Sequence, residues 1–346
     1  MHTAVIYGVT GVAGRAIAER LLAAGGWHVI GASRRPPQGL DGIEHVAADL
    51  LDREAIRSAL AGRHATHVFH CAWIENADKG EKVRLNGVLM GNALEATAAG
   101  GTLVHAALVT GLSHYMGGIA EAPFTEDMPR GGGNPFYYAQ EDVLLRTAET
   151  HGFTWSVARP GTILGYAPGN AMNLGTAVAV YATLCRETGR PFVFPGTAHY
   201  YNGLADVTDS RLLARHMIWE ATTPAAANQA FNVVNGDLFR WKTMWARIAD
   251  YFGVTVAPHP GLQTNLAAAM ADAQPQWDTI VDRYGLRPNA LSHIAPFWHM
   301  DLDLGRPVDS MADITRSRVL GFHDHQPTWQ TFTDLFARLK LEKIIP

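Results

Sequence analysis

Residues 5–14 limit what this chain can become more than any other stretch. Val5-Ile6-Tyr7 is a short apolar run, and Gly8-Val9-Thr10-Gly11-Val12-Ala13-Gly14 follows it directly. Arg15 to Leu22 then reads as an amphipathic helix. The pattern is strand, glycine turn, helix, with the glycines spaced GxxGxxG. Gly8 permits a tight turn, Gly11 lets the backbone approach a pyrophosphate, and Gly14 lets the helix pack closely on the strand. Amides at the helix start, around Thr10 and Val12, then face the phosphates. Taken alone, such spacing says little. Set between an N-terminal strand and a helix, it marks Gly8, Thr10, Gly11, Val12 and Gly14 as candidate dinucleotide contacts.

The alternation continues. Residues 27–32 read as a second strand that ends in Ser33-Arg34-Arg35-Pro36-Pro37. NAD enzymes usually place an acid here for the ribose 2′-hydroxyl. This chain offers two arginines, which suit a 2′-phosphate and so NADPH, although a solvated basic turn is the alternative. Residues 43–47 form a third strand, followed by Asp49 and Leu50 where related folds touch the adenine. Residues 67–73 form a fourth strand ending at Trp73, expected to wall the crevice. A helix spans 81–99. A fifth strand, 102–109, runs into Thr110-Gly111-Leu112-Ser113-His114-Tyr115, with Thr110 set to meet the cofactor. A helix spans 136–150 and a sixth strand 153–158. Strands alternating with helices predict an α/β fold with a doubly wound parallel sheet, and its ligand crevice lies beyond the C-terminal strand ends.

Beyond about residue 166 the regularity breaks up. Helices are expected at 174–187, 209–221 and 241–252, with strands at 191–195 and 230–234. The expected division is a dinucleotide-binding domain over 1–165, to which 200–235 returns, and a smaller C-terminal α/β substrate lobe over 166–346. Tyr166 and Met172 fall where substrate-covering loops begin. The part played by 255–310 is open between covering the pocket and meeting a partner subunit.

The formal net charge of -4 gives no basis for a nucleic-acid surface or a polybasic membrane patch. No apolar run is long enough to span a bilayer, and the first strand begins almost at Met1, so a cytoplasmic protein without a signal peptide is expected. Cys71 and Cys185 are the two cysteines, too few for a disulfide framework. His64, His67 and His70 recur every third residue, but a strand sends the last two to opposite faces, so no metal is expected.

Several segments together resemble the extended short-chain dehydrogenase/reductases, and within them the progesterone 5β-reductase and iridoid synthase branch. They are GVTGVAG at 8–14, ASRRP at 32–36, HVFHCAW at 67–73, TGLSHY at 110–115, PFTEDMPR at 123–130, NPFYYAQEDVL at 134–144 and FNVVNGDLFRWKTMW at 231–245. The resemblance implies a Rossmann-like fold and NADPH-dependent reduction of the double bond of enones and enals. Hydride goes to the β-carbon, and a tyrosine holds the growing enolate oxygen. It assigns that role to the second of the FYY pair, Tyr138, and leaves Tyr137 as packing; the sequence alone does not choose between them. It also implies a small, mostly apolar carbonyl substrate, and a homodimer is common among similar enzymes.

One departure falls at the presumed reaction centre. The family's second catalytic group is a lysine in TG-x-K-HY, and this chain has Ser113. A pocket phenylalanine of the family falls on Ile119. Without the ammonium, Tyr138 is expected to stay protonated through neutral pH and to act as a hydrogen-bond donor. Ser113 and Tyr138 also fit the serine and tyrosine that hold a carbonyl oxygen in many short-chain reductases. Carbonyl or imine reduction is therefore the alternative activity. A protein that binds NADPH without transferring hydride, or an isomerase-like role, is the alternative from another class.

Overall fold

The computed structural model describes residues 2–117, 121–167, 170 and 172–346. Its first half runs β1 (His2–Tyr7), α1 (Val12–Ala24), β2 (Trp27–Ser33), β3 (Glu44–Ala47), α2 (Arg53–Leu60), β4 (His67–His70), α3 (Lys79–Ala98), β5 (His105–Val109), α4 (Pro135–His151) and β6 (Thr154–Pro160). Next come β7 (Thr162–Leu164), α5 (Leu174–Thr188), α6 (Ala198–Asn202), β8 (Val207–Asp209), α7 (Ser210–Thr222), β9 (Gln229–Val233) and α8 (Trp241–Phe252). Six helices close the chain: α9 (Leu266–Ala269), α10 (Gln274–Tyr284), α11 (Leu291–Ile294), α12 (Phe297–Leu304), α13 (Thr315–Val319) and α14 (Thr328–Leu341).

The main sheet has the order β3-β2-β1-β4-β5-β6-β9, and every pairing in it is parallel. The order reverses at β1, between β2 and β4, and such a switch point opens the ligand crevice. Apolar strand residues are buried on both faces, as helix-covered parallel strands must be. One face packs on α1 and α7 through residues such as Ile17, Leu213 and Met217. The other packs on α2, α3 and α4 through Ile56, Met90 and Leu144. The sequence reading missed α2. Its signals are Asp52, whose side chain caps Ala55 N, and the spacing of Ile56 and Leu60.

The C-terminal lobe is built around α5, buried from Leu174 through Cys185. The region 255–310 supplies α9 to α12, and Trp277, Ile294, Met300 and Leu304 join the same core as α5, α8 and α14. Phe192 and Trp245 stack there with centroids 4.1 Å apart. Residues 191–195 do not form the expected strand and make a single bridge, Phe192 to Val256. Pro191 and Pro195 lack the amides a ladder needs. Conversely, β7 and β8 pair in a small parallel sheet that the sequence reading left out. Among the described residues, no helix is long and apolar enough to cross a membrane.

Candidate active site

The turn after β1 adopts the geometry its glycines allow. Gly8 has φ +81, and a Cβ there would lie 2.8 Å from the Ala72 amide nitrogen. A Cβ on Gly14 would collide with the carbonyl oxygen of Gly8. The turn and α1 are therefore locked together only because both positions are bare. Gly11 opens α1 without a side-chain cap, and no acid stands in the first turn. The amides beginning at Val12 are left for an anion, which fits a bound pyrophosphate. Thr10 is exposed at the tip of this turn.

At the end of β2, the Ser33 hydroxyl donates to the Arg35 carbonyl and lies 3.2 Å from the His45 ring. Arg34 and Arg35 are exposed, and among the described residues neither forms an ion pair. Two uncommitted guanidiniums beside the crevice fit a phosphate on the ribose. Asp49 is exposed and accepts from Leu51 N, while the half-buried Leu50 accepts through its carbonyl from Asn92. Thr110 is buried at the end of β5 with its amide donating to Ala158 O.

Ser113 sits in a single 3-10 turn, Leu112–His114, just beyond β5. The segment Gly131-Gly132-Gly133 lies directly against this turn, because any Cβ on Gly131 or Gly133 would strike the carbonyls of Tyr115 or Ser113. That contact brings Asn134, at the start of α4, onto Ser113, and Asn134 Nδ2 donates to Ser113 Oγ at 2.7 Å. The serine is thus oriented by a side chain, and its own proton can turn to the Tyr137 phenol. The run RGGGN at 130–134 was the signal for this contact, and the sequence reading did not use it.

The same geometry separates the two tyrosines. Tyr138 Oη donates to His114 O at 2.7 Å and accepts from Gly132 N at 2.9 Å. Arg130 covers its ring at 4.8 Å. Its proton is therefore committed to the backbone. Tyr137 is the phenol that meets Ser113. Its hydroxyl lies 3.2 Å from where a Cβ of Gly111 would stand, on the bare side of the β5 exit. Burial pushes the Tyr137 phenol above its ordinary value, while the Ser113 hydroxyl and the Arg306 charge pull it back. It remains a neutral donor at neutral pH. Adjacent helical positions point about 100° apart, so the two phenols project in different directions.

A buried network fixes this arrangement from behind. Glu141, one turn after Tyr137, is buried; its Oε1 lies 3.3 Å from His114 Nδ1 and 3.4 Å from an Arg159 amine. Arg159 also donates to Tyr115 Oη at 3.0 Å, and that hydroxyl donates to Asn232 of β9. Burial opposes the Glu141 charge, but His114, Arg159 and Arg130 together hold the carboxyl below the usual carboxylate range. Such a group contributes stability that is complete above its unfolded pKa and is lost as pH falls through the folded one. Glu141→Gln is accordingly expected to lower stability by about 3 kcal/mol at neutral pH. Urea melts at neutral pH and at about pH 3 test this: the gap from wild type should close in acid, and a constant gap would contradict the charge pairing.

The expected pocket residues divide. Trp73 lies beyond the end of β4, which stops at His70, and stacks on Phe136 with centroids 5.9 Å apart. It is partly exposed beside the residue that precedes Tyr137. Met172 is exposed in the loop before α5. Tyr166 is buried between guanidiniums, with Arg15 at 5.1 Å and Arg338 at 4.2 Å from its ring, and so joins α1 to α14. Ile119 lies outside the described residues.

The sequence reading missed a polar cluster beneath Tyr137. Thr162 Oγ1 donates to Asp303 at 2.9 Å, and Arg306 donates to Thr162 Oγ1 and Ser310 Oγ at 3.0 Å each and pairs with Asp303. These residues are far apart in sequence, and no motif announced them.

The fold and the site define a nucleotide-binding α/β protein of the extended short-chain dehydrogenase type. Solved structures agree on the fold: the UDP-glucose 4-epimerase of Thermotoga maritima matches at TM-score 0.70 and 14% identity, over 98% of this chain and 100% of that one. A short-chain dehydrogenase/reductase superfamily protein of Agrobacterium tumefaciens, solved with bound NAD, matches at TM-score 0.68 and 17% identity, over 99% of each chain. The chain belongs to the PRISE-like Rossmann-fold domain family, which matches residues 38–346. It is 36% identical to the (S)-8-oxocitronellyl enol synthase of Nepeta cataria over 99% of this chain and 93% of that protein. It is 34% identical to the 3-oxo-Delta(4,5)-steroid 5-beta-reductase of Arabidopsis thaliana, with the same coverage.

Proposed function

We propose that the protein is an NADPH-dependent reductase of activated carbon–carbon double bonds, taking small enals or enones. The observation that carries this reading is the Tyr137 phenol beside Ser113 over the bare face of Gly111. A neutral phenol with a serine hydroxyl beside it can hold a carbonyl oxygen as it takes up charge. The names of the relatives, an enol synthase and a steroid 5-beta-reductase, favour addition at the β-carbon. In this reading the uncapped start of α1 holds the pyrophosphate, and Arg34 and Arg35 hold the 2′-phosphate. Bound NADPH supplies the hydride. Tyr137 gives a hydrogen bond to the enolate oxygen, and Ser113, oriented by Asn134, gives a second. Carbonyl reduction is the second reading, favoured by the pairing of Ser113 with Tyr137 where the family has a lysine.

One assay separates them. The protein and NADPH are given an α,β-unsaturated aldehyde, and the products are resolved by mass and retention. A saturated aldehyde is expected. An allylic alcohol would move the activity to the carbonyl carbon. Tight NADPH binding with no consumption would replace catalysis by a binding role.

A further inference from the structure

Arg15 stands in the first turn of α1, directly after the glycine motif, and is 5% exposed. A guanidinium buried that deeply must have partners for its donors. One is Glu19, which accepts from Nε at 3.1 Å. The others are backbone carbonyls of an exposed loop: Nη1 donates to Gln38 O at 2.7 Å and Nη2 to Gly39 O at 2.9 Å. Gly39 has φ +61, and Arg15 Nη2 lies 3.5 Å from where its Cβ would stand. The loop closes on the fork of the guanidinium, and a bare residue permits the turn it makes there.

The pinned carbonyls lie just beyond Arg34 and Arg35. On the strand side, Ser33 is paired within the sheet, and its hydroxyl donates to Arg35 O at 2.7 Å. On the far side, Pro36 and Pro37 lock φ and carry the constraint from Gln38 back to Arg35. The basic turn is thus held between two anchors, and Arg15 is the distal one. Arg15 is itself held from behind. Its guanidinium lies over the Tyr166 ring, and Arg338 lies over the same ring and pairs with Glu19 at 2.6 Å.

Two exposed arginines gain little from a phosphate if binding must first order the backbone that carries them. A turn fixed in advance avoids that cost, and only a cofactor with a 2′-phosphate draws on it. We propose that Arg15 is a positioning residue for the cofactor. It holds the basic turn, through Gln38 and Gly39, in the conformation that receives the 2′-phosphate, and so sets the preference for NADPH over NADH. This rests on the reading of Arg34 and Arg35 as the 2′-phosphate donors.

The test measures NADPH and NADH dissociation constants by nicotinamide fluorescence on Arg15→Met, Arg15→Lys and Gly39→Val. Beside them runs the rate at which trypsin cuts the Arg34–Arg35 bond of the cofactor-free protein, read by the mass of the fragments. Arg15→Met removes the fork. The carbonyls it frees lie in an exposed loop and Glu19 keeps Arg338, so the fold is expected to survive. Gly39→Val leaves α1 intact and drives a β-branched residue out of the left-handed region, so it decides the matter should Arg15→Met fail to fold. Both variants are expected to weaken NADPH binding about tenfold, to leave NADH within about twofold of wild type, and to speed the cleavage. Arg15→Lys keeps the charge without the fork and should recover only part of the NADPH-to-NADH ratio. An unchanged ratio in the folded variants overturns the proposal, and faster cleavage beside it would leave Arg15 as a brace for the loop alone. Full recovery in Arg15→Lys also overturns it, because charge would then suffice. Equal affinity of the wild type for the two cofactors overturns the 2′-phosphate reading and the proposal with it, so the wild-type ratio tells the two failures apart.

Discussion

Tyr137→Phe is expected to lower kcat for an enal by about two to three orders of magnitude, the cost of losing one donor at a developing oxyanion. KM and the NADPH dissociation constant should change little, because the phenol acts on charge that appears only in the transition state. Tyr138→Phe should behave differently. Its hydroxyl bridges His114 O and Gly132 N, so its loss weakens the contact between the glycine segment and the 3-10 turn. About 1–2 kcal/mol of stability should go, with kcat within about tenfold of wild type. Steady-state kinetics and thermal melts of the two variants decide the matter. Near-normal turnover in Tyr137→Phe, with turnover abolished in Tyr138→Phe, would return the role to Tyr138.

Replacing both Arg34 and Arg35 by alanine is expected to raise the NADPH dissociation constant by about a hundredfold and to leave that for NADH nearly unchanged. Each charge-assisted bond to a 2′-phosphate is worth about 1.5–3 kcal/mol, so two give at least that factor. Both side chains are exposed, and among the described residues neither holds an ion pair that its removal would break. The fold should therefore be unaffected. Titration of NADPH and NADH fluorescence on wild type and the double variant measures the shift. Equal affinity of the wild type for the two cofactors would show that the basic turn is only solvated.

Much of the cofactor half was legible because its signals are local. Strand, glycine turn and helix lie within residues 2–24, and steric exclusion at Gly14 follows from the Gly8 carbonyl a single turn before it. The helix Pro135–His151 was readable from Pro135 at its start and Gly152 at its end. The substrate half was less so. Residues 191–195 have the composition of a strand, yet prolines at both ends leave only one bridge. The β7–β8 pair is too short to show alternation, and its partners are forty-odd residues apart.

The choice between Tyr137 and Tyr138 marks the boundary. The sequence by itself determined that two adjacent phenols stand at the start of a helix near the crevice, and that a serine replaces a lysine in the turn before them. Which phenol keeps its proton for a ligand depended on Gly131 to Gly133 folding back onto His114 and occupying Tyr138 from outside the helix. The polar cluster near Tyr137 is more remote still, since Thr162, Asp303, Arg306 and Ser310 meet only when the C-terminal segments pack against β7. Local sterics and periodicity are written along the chain. Which buried polar groups find partners is settled only by packing between segments far apart in sequence.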